Sequence, residues 1–420
     1  MKDVFQINDT IVKNNLINLH NLVFEVTERC NLNCKYCGLS EQFYQKHDVR
    51  KSRDMPFKKA KLMIDYLLNL WRDNYIADTV LPLSIGFYGG EPLMNMPLIK
   101  KIIDYVEQSN TTGRQIRYAM TTNAILLDKH IDFLVEKNFS LTISLDGDEK
   151  AQSYRIDRAG NNSYNQVIRN VKLLQQNYPD YFNDLHVMFI SVLHNRNDVE
   201  PILDFFKTHF RKIPQISTLD VSGINEDKKD EFRKMYQNKS QSLIKSTSCE
   251  AIENELFNNM PKGFRLLKFL YHTSGNIYND YNQLLMSNIC ENVIATGTCT
   301  PFAKKLFVST NGKILPCERI EHDFQVGYVH DDFVELDYKH VAEQHNFYLS
   351  KSADQCVPCA TNNFCPQCVY SIDDIRSNSP HCLNFCTTGN FEELKEQNFS
   401  YLRQHPHYFE KVLNEINFRM

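Results

Sequence analysis

The sequence predicts an α/β protein, an open partial barrel of six βα units followed by a smaller cysteine-rich domain. Three observations predict it. Between Leu22 and Gly223, short apolar runs alternate with amphipathic helical stretches. Nine of the 13 cysteines fall between Cys290 and Cys386, where apolar periodicity fades. Hydrophobic residues make up 42% and charged residues 23% of the 420, a balance that excludes a largely disordered or fibrous chain.

The elements follow in order. A first strand, Leu22 to Val26, runs up to a cysteine cluster. The helix from Phe57 to about Arg72 sets Ala60, Met63, Ile64, Leu67 and Leu68 on one face. Then come strand Leu83 to Tyr88 and helix Leu98 to Glu107, strand Ile116 to Thr121 and helix Lys129 to Lys137, and strand Leu141 to Leu145 and helix Tyr164 to Gln176. Strand His186 to Leu193, helix Val199 to His209 and a last strand, about Ile216 to Val221, complete the series. Such alternation demands right-handed crossovers and a parallel sheet covered by helices. Six units are too few for a closed eight-stranded barrel, and chemistry in parallel barrels sits at the C-terminal strand ends. That gathers Cys30, Gly89, Thr122, Asp146 and Ser191 around one mouth.

The expected organisation is an N-terminal extension (1–20), the barrel (21–223), a helical bridge (224–289), the cysteine-rich domain (290–390) and a helical tail (391–420). Aromatics mark the bridge at Phe232, Tyr236, Phe264, Phe269, Tyr271, Tyr278 and Tyr281. The first 20 residues lack the apolar core of a signal peptide, and no run is long enough to span a membrane. A cytoplasmic protein without membrane partners is expected, in a reducing compartment where clustered cysteines bind metal rather than pair. With 47 basic and 51 acidic residues there is no positive excess to attract nucleic acid.

The first cluster reads Cys30-x3-Cys34-x2-Cys37, on the loop after the first strand. Three thiolates can hold three irons of a four-iron cubane and leave the fourth open, whereas zinc sites usually want four ligands. This spacing, with Tyr36 just before the third cysteine, resembles the signature of the radical S-adenosylmethionine (SAM) superfamily. Phe87-Tyr88-Gly89-Gly90-Glu91-Pro92, about 50 residues on at the second strand end, resembles that family's glycine-rich segment. The resemblance implies a 4Fe-4S cluster whose open iron binds the amino and carboxylate groups of SAM. It also implies reductive cleavage of SAM to a 5′-deoxyadenosyl radical that takes a hydrogen atom from substrate. It carries SAM contacts onto Tyr36, Gly89, Gly90 and Glu91, onto Thr122 and Asn123, and onto Ser144 and Asp146 of Ile143-Ser144-Leu145-Asp146-Gly147. Arg155, five residues before Gly160, resembles the family's carboxylate-binding arginine, and Val192 and Leu193 are candidate adenine contacts.

The second set of cysteines is Cys290, Cys299, Cys317, Cys356, Cys359, Cys365, Cys368, Cys382 and Cys386. Gly312-x4-Cys317 and Cys356-x2-Cys359-x5-Cys365 resemble the SPASM domain, the auxiliary-cluster extension of radical SAM peptide-modifying enzymes. Departures are the two-residue gap before Cys368 and the paired Cys382 and Cys386. The resemblance implies two further 4Fe-4S clusters, three in all. One would be held by Cys290, Cys299, Cys317 and Cys368, the other by Cys356, Cys359, Cys365 and either Cys382 or Cys386, of which the resemblance favours Cys386, about 17 residues past Cys368, leaving Cys249 as an inert thiol. Glu318 stands where sulfatase-maturating relatives carry a catalytic aspartate, which makes it a candidate base. The implied function is maturation of a ribosomally made precursor peptide through a thioether or other side-chain crosslink. The alternative is oxidation of a sulfatase Cys or Ser to formylglycine. Either needs an electron donor such as flavodoxin or ferredoxin. The 20 residues before the first strand are too few for a separate peptide-recognition domain, so the bridge and the tail are the expected docking sites.

Overall fold

The computed structural model describes residues 6–39, 43–44, 48–74, 82–220, 223–256, 266, 300–362, 365 and 367–408. The chain divides into two compact units. The larger comprises Val12–Cys249 and Pro301–Val341, the smaller Met1–Ile11, Glu250–Thr300 and Ala342–Met420.

The larger unit is built on one ten-stranded sheet. Six parallel strands follow the alternation of the sequence: β1 (Asn21–Thr27), β2 (Leu83–Gly89), β3 (Ile116–Thr122), β4 (Ser140–Ser144), β5 (Val187–Leu193) and β6 (Gln215–Thr218). Helix α1 (Asp9–Ile17) precedes them. Between them lie α2 (Phe57–Asn74), α3 (Met96–Ser109), α4 (Ile131–Glu136), α5 (Tyr164–Asn177), α6 (Pro179–Asn183) and α7 (Val199–Phe210). Strands buried on both faces read as continuous apolar runs, and β1 shows six consecutive buried residues. The face expected of α2 is the buried one, extended by Trp71. Trp71 donates Nε1–H to the Leu16 carbonyl at 3.0 Å, and buried Arg114 stacks 4.4 Å from its ring.

Two boundaries differ from expectation. The helix expected over Lys129 to Lys137 is a 3-10 turn (Leu127–Lys129) followed by α4. The last parallel strand stops at Thr218, whereas its expected end, Val221, lies outside the described residues.

The sheet does not end at β1. Strand β7 (Leu306–Val308) pairs with it in parallel, and β8 (Lys313–Leu315), β9 (Gly327–Val329) and β10 (Val334–Glu335) continue antiparallel. Sequence reading missed these strands because two to three residues are too short to show periodicity. Buried charges fasten the addition to the barrel. Glu25 accepts from Arg50 (3.0 Å) and from the Thr310 amide (3.1 Å). Glu28 accepts from Arg53 Nε (2.8 Å) and the Thr310 hydroxyl (3.0 Å).

The described start of the bridge forms α8 (Lys229–Met235), α9 (Lys239–Ile244) and α10 (Cys249–Glu255). Phe232 and Met235 are buried in an aromatic cluster with Tyr36, Phe43, Tyr44, Tyr154 and Leu219, so Phe232 is spent on packing. Phe264, Phe269, Tyr271, Tyr278 and Tyr281 lie outside the described residues, as do Cys290 and Cys299.

In the smaller unit, helix α11 (Tyr338–Lys351, counted here from Ala342) leads into α12 (Ala353–Cys356), and α13 (Thr388–Gln404) forms the described tail. Thr387 caps α13 by accepting from the Asn390 amide at 3.2 Å, and no residue of α13 is fully buried. Among the described residues no helix is long and apolar enough to cross a membrane.

Candidate active site

The C-terminal ends of β1 to β5 bring most of the expected residues to one mouth. After β1 the cysteine loop is tied down by backbone. The Asn33 amide donates to the Ile156 carbonyl (2.7 Å) and the Lys35 amide to that of Tyr154 (2.9 Å). The arginine segment and the cysteine loop therefore form one layer.

Gly89 and Gly90 seat the start of that loop. Gly89 has φ +144°, and a Cβ there would lie 2.1 Å from the Thr27 carbonyl oxygen. At Gly90 it would lie 2.2 Å from that of Arg29. No side chain fits, and the Gly90 and Glu91 amides donate to those same two carbonyls.

Glu91 is buried and fully engaged. It accepts from the Thr122 hydroxyl (2.7 Å), the Asn123 amide (2.7 Å) and the Leu93 amide (3.1 Å). Its carboxylate thus clamps the end of β3 to the turn after β2. Burial pushes its carboxyl up to about 7, against the pull of those hydrogen bonds. Glu91→Ala strands three buried donors at about 1–3 kcal/mol each, so a net loss of about 3 kcal/mol is expected in urea unfolding. A raised folded pKa also fixes the sign with pH. The contribution of Glu91 is full below its ordinary 4.5 and is lost as pH rises through about 7, so the variant's deficit should shrink at alkaline pH.

Deeper in the mouth, Asp146 is fully buried. Its Oδ1 accepts from Arg155 NH2 (3.0 Å) and the Val192 amide (3.0 Å), and its Oδ2 from the Tyr36 hydroxyl. His194 Nε2 stands 3.6 Å from the same Oδ2. The Asp146 amide donates to Gln152 Oε1 (2.8 Å), and Ser191 Oγ donates to the Asp146 carbonyl (3.1 Å). Burial alone would raise the carboxyl of Asp146, but Arg155 and His194 hold it below the usual carboxylate range. Leu193 is wholly buried in the core, Val192 is half-buried, and Ser144 closes β4 beside them. Sequence reading stopped one residue short of His194. A polar residue directly past a parallel strand end was the available signal.

The residues fit the groups the motifs imply. Arg155 Nε is a buried donor without a partner next to Cys34 and Tyr36, as an anionic ligand requires. Burial, with the charge of Cys37, pushes the Cys30 thiol up to about 11, and burial, with the charges of Cys37 and Cys30, pushes Cys34 up to about 12. Cys30 Sγ already accepts from the Leu32 amide (3.4 Å) and Asn123 Nδ2 (3.8 Å). Among the described residues no three His, Cys, Asp or Glu side chains are arranged to hold a metal ion. A cubane asks for wider spacing, with one thiolate per iron corner.

Cys317 and Glu318 follow β8. Glu318 accepts from Lys305 Nζ at 2.8 Å through both oxygens, and Lys305 holds its carboxyl below the usual range although burial pushes the other way. Tyr88, at the end of β2, feels the charges of both Glu318 and Cys37. In the smaller unit Cys356 feels Cys365, Cys382 and Cys359, and burial pushes it up to about 12. Cys386 feels Cys359, to whose sulfur its amide donates at 3.4 Å.

Residues 24–206 match the Radical SAM superfamily, and this segment is a radical SAM domain. That domain, with maturases among the similar proteins, makes the chain an enzyme. Over 353 residues, 83% of this chain and 86% of the other, it is 24% identical to a cysteine-type anaerobic sulfatase-maturating enzyme of Clostridium novyi. It is 27% identical over 219 residues, 50% and 42% of the two chains, to the radical SAM cyclopropyl synthase TigE of Paramaledivibacter caminithermalis. An uncharacterised protein of Methanocaldococcus jannaschii is 42% identical over 130 residues, 31% of this chain and 39% of that one. Thus the chain spans well under half of two of these relatives and most of the third. Its fold is that of native anSMEcpe with bound AdoMet and Cp18Cys peptide, with TM-score 0.59 and 20% identity over 96% of this chain and 99% of that one. A radical SAM domain implies SAM and a 4Fe-4S cluster.

Proposed function

We propose that this enzyme matures a ribosomally made precursor peptide, abstracting hydrogen from one residue so that a thioether or other side-chain crosslink forms. The observation that carries the reading is the mouth itself, where Cys34, within reach of the charges of Cys30 and Cys37, lies beside a buried arginine with a spare donor. Cys30, Cys34 and Cys37 hold the cluster, and Arg155 receives the SAM carboxylate. When bound, the cluster supplies one electron and SAM the 5′-deoxyadenosyl fragment that takes the hydrogen. The chain's own residues orient and seal. Glu91 and the glycine pair fix the loop, while Tyr36 on that loop is buried in one aromatic cluster with Phe43 and Tyr44.

Two auxiliary clusters complete the reading. The charges felt by Cys356 favour Cys382 over Cys386 as the fourth ligand beside Cys359 and Cys365. The set Cys290, Cys299, Cys317 and Cys368 rests on sequence pattern alone. A flavodoxin or ferredoxin supplies electrons, in a cytoplasmic setting.

Formylglycine formation on a sulfatase peptide is the second reading, favoured by the relative that aligns with most of the chain. Glu318, kept ionised by Lys305, is the base in either case. The test is anaerobic turnover with dithionite and SAM, using peptides encoded beside the gene and a cysteine-containing sulfatase peptide. Loss of about two hydrogens from a flanking peptide supports crosslinking. Conversion of the sulfatase cysteine to an aldehyde, with the flanking peptides untouched, selects the second reading. Glu318→Gln should leave 5′-deoxyadenosine formation intact and lower peptide product about 10²–10⁴-fold. Unchanged product would remove Glu318 from the chemistry.

A further inference from the structure

We propose that His194 is a positioning residue, whose buried ring, with Nε2 facing the Asp146 carboxylate, keeps in place the group that in turn aims Arg155 at an anionic ligand. This rests on the reading of Arg155 given above and deepens it.

His194 is fully buried, directly past the end of β5. Its Nδ1 accepts a hydrogen bond from the Arg196 amide at 3.2 Å, so in the neutral ring the proton sits on Nε2. That Nε2 lies 3.6 Å from Asp146 Oδ2 and 3.5 Å from Asn197 Nδ2. Because Asn197 Nδ2 is itself a donor, already engaged with the Val192 carbonyl at 3.0 Å, the carboxylate is the acceptor left for the ring. The backbone fixes the ring from the other side, since the His194 amide donates to Asn197 Oδ1 at 2.9 Å. Tyr154 packs edge-on at 4.7 Å and Tyr36 at 5.7 Å between centroids. The imidazole therefore has little freedom to turn away.

The consequence lies in how Arg155 is held. Its terminal NH2 is committed to Asp146 Oδ1, its Cζ lies 5.4 Å from the Tyr36 ring centroid, and its Nε is buried and unpaired. The spare donor points usefully only while Asp146 keeps both oxygens in place. Oδ1 is pinned by Arg155 and a backbone amide, Oδ2 accepts from the Tyr36 hydroxyl, and His194 Nε2 stands 3.6 Å from Oδ2, beyond a direct hydrogen bond but close enough to hold it by charge and packing. Tyr36 sits on the cysteine loop. His194 is the Oδ2 contact supplied from the strand side, and it keeps the carboxylate from following that loop. Supporting groups of this kind govern ligand affinity without touching ligand.

The experiment compares His194→Phe, which keeps a ring and removes the donor, with His194→Gln, whose amide N–H can stand in for Nε2–H. Cluster-loaded, unreduced protein is titrated with SAM by calorimetry, so that no turnover is involved. Iron content and melting temperature control for folding. SAM binding is expected to weaken about tenfold in His194→Phe and to return within about threefold of wild type in His194→Gln. In turnover, KM for SAM should rise while kcat at saturation changes little. Wild-type SAM affinity in His194→Phe would overturn the proposal, as would equal losses in the two variants at equal iron content and stability. Should wild type itself bind no SAM, the underlying reading fails instead, a distinct result.

Discussion

Cys30, Cys34 and Cys37 changed together to alanine should abolish 5′-deoxyadenosine formation and remove about four irons per chain, yet leave the barrel folded. The last point follows from what holds the loop. Its ties are backbone hydrogen bonds from Asn33 and Lys35 to the segment at Tyr154 and Ile156, with the glycine turn beneath. Among the described residues, the Cys30 sulfur is engaged in its own right by the Leu32 amide and the Asn123 side chain. Circular dichroism and melting of the apo-protein should therefore match wild type, while the iron content falls. The same measurement separates the two C-terminal candidates. Cys382 is buried and its charge is felt by Cys356, so Cys382→Ala should cost up to about four irons, whereas Cys386→Ala keeps them. A triple variant that retains its full iron complement would contradict the assignment of the triad.

What the sequence made legible was whatever rests on long periodicity or on motif spacing. The parallel strands and the buried face of α2 emerge from apolar runs and a 3.6-residue repeat, because tertiary packing there agrees with local pattern. Short elements were illegible. Strands of two or three residues such as β8 and β10 are too short for a pattern to show, and the run they belong to is placed by the pairing of β7 with the distant β1 and by the buried charges of Glu25 and Glu28, none of which leaves a local trace. The site shows the same divide. Spacing pointed to Asp146 and Arg155, but that His194, one residue past the last one singled out on β5, faces Asp146 is settled only once β5 is laid beside β4. The glycine pair was legible as a motif, and its packing against the Thr27 and Arg29 carbonyls was not.

Arg155→Met is the single substitution expected to damage both fold and site. Asp146 keeps its proton off, despite complete burial, because Arg155 and His194 outweigh the desolvation that would raise it. Removing the guanidinium leaves the buried carboxylate without its ion-pair partner, and breaking a buried pair in this way costs about 3–5 kcal/mol. The sign with pH is then fixed. In wild type the carboxyl lies below its ordinary value, so its contribution is present at neutral pH and fades only as pH falls through that depressed value. In the variant burial prevails, the carboxyl rises, and the deficit should narrow as the medium is acidified from about pH 7.5 to about pH 5. Asp146→Asn in the same chain should recover part of the loss, since the amide carries no charge to strand. SAM binding should not return in that double variant, because the donor itself is gone. Stability restored without binding would separate the two duties of Arg155, whereas SAM binding that survives in Arg155→Met would take the arginine out of the site altogether.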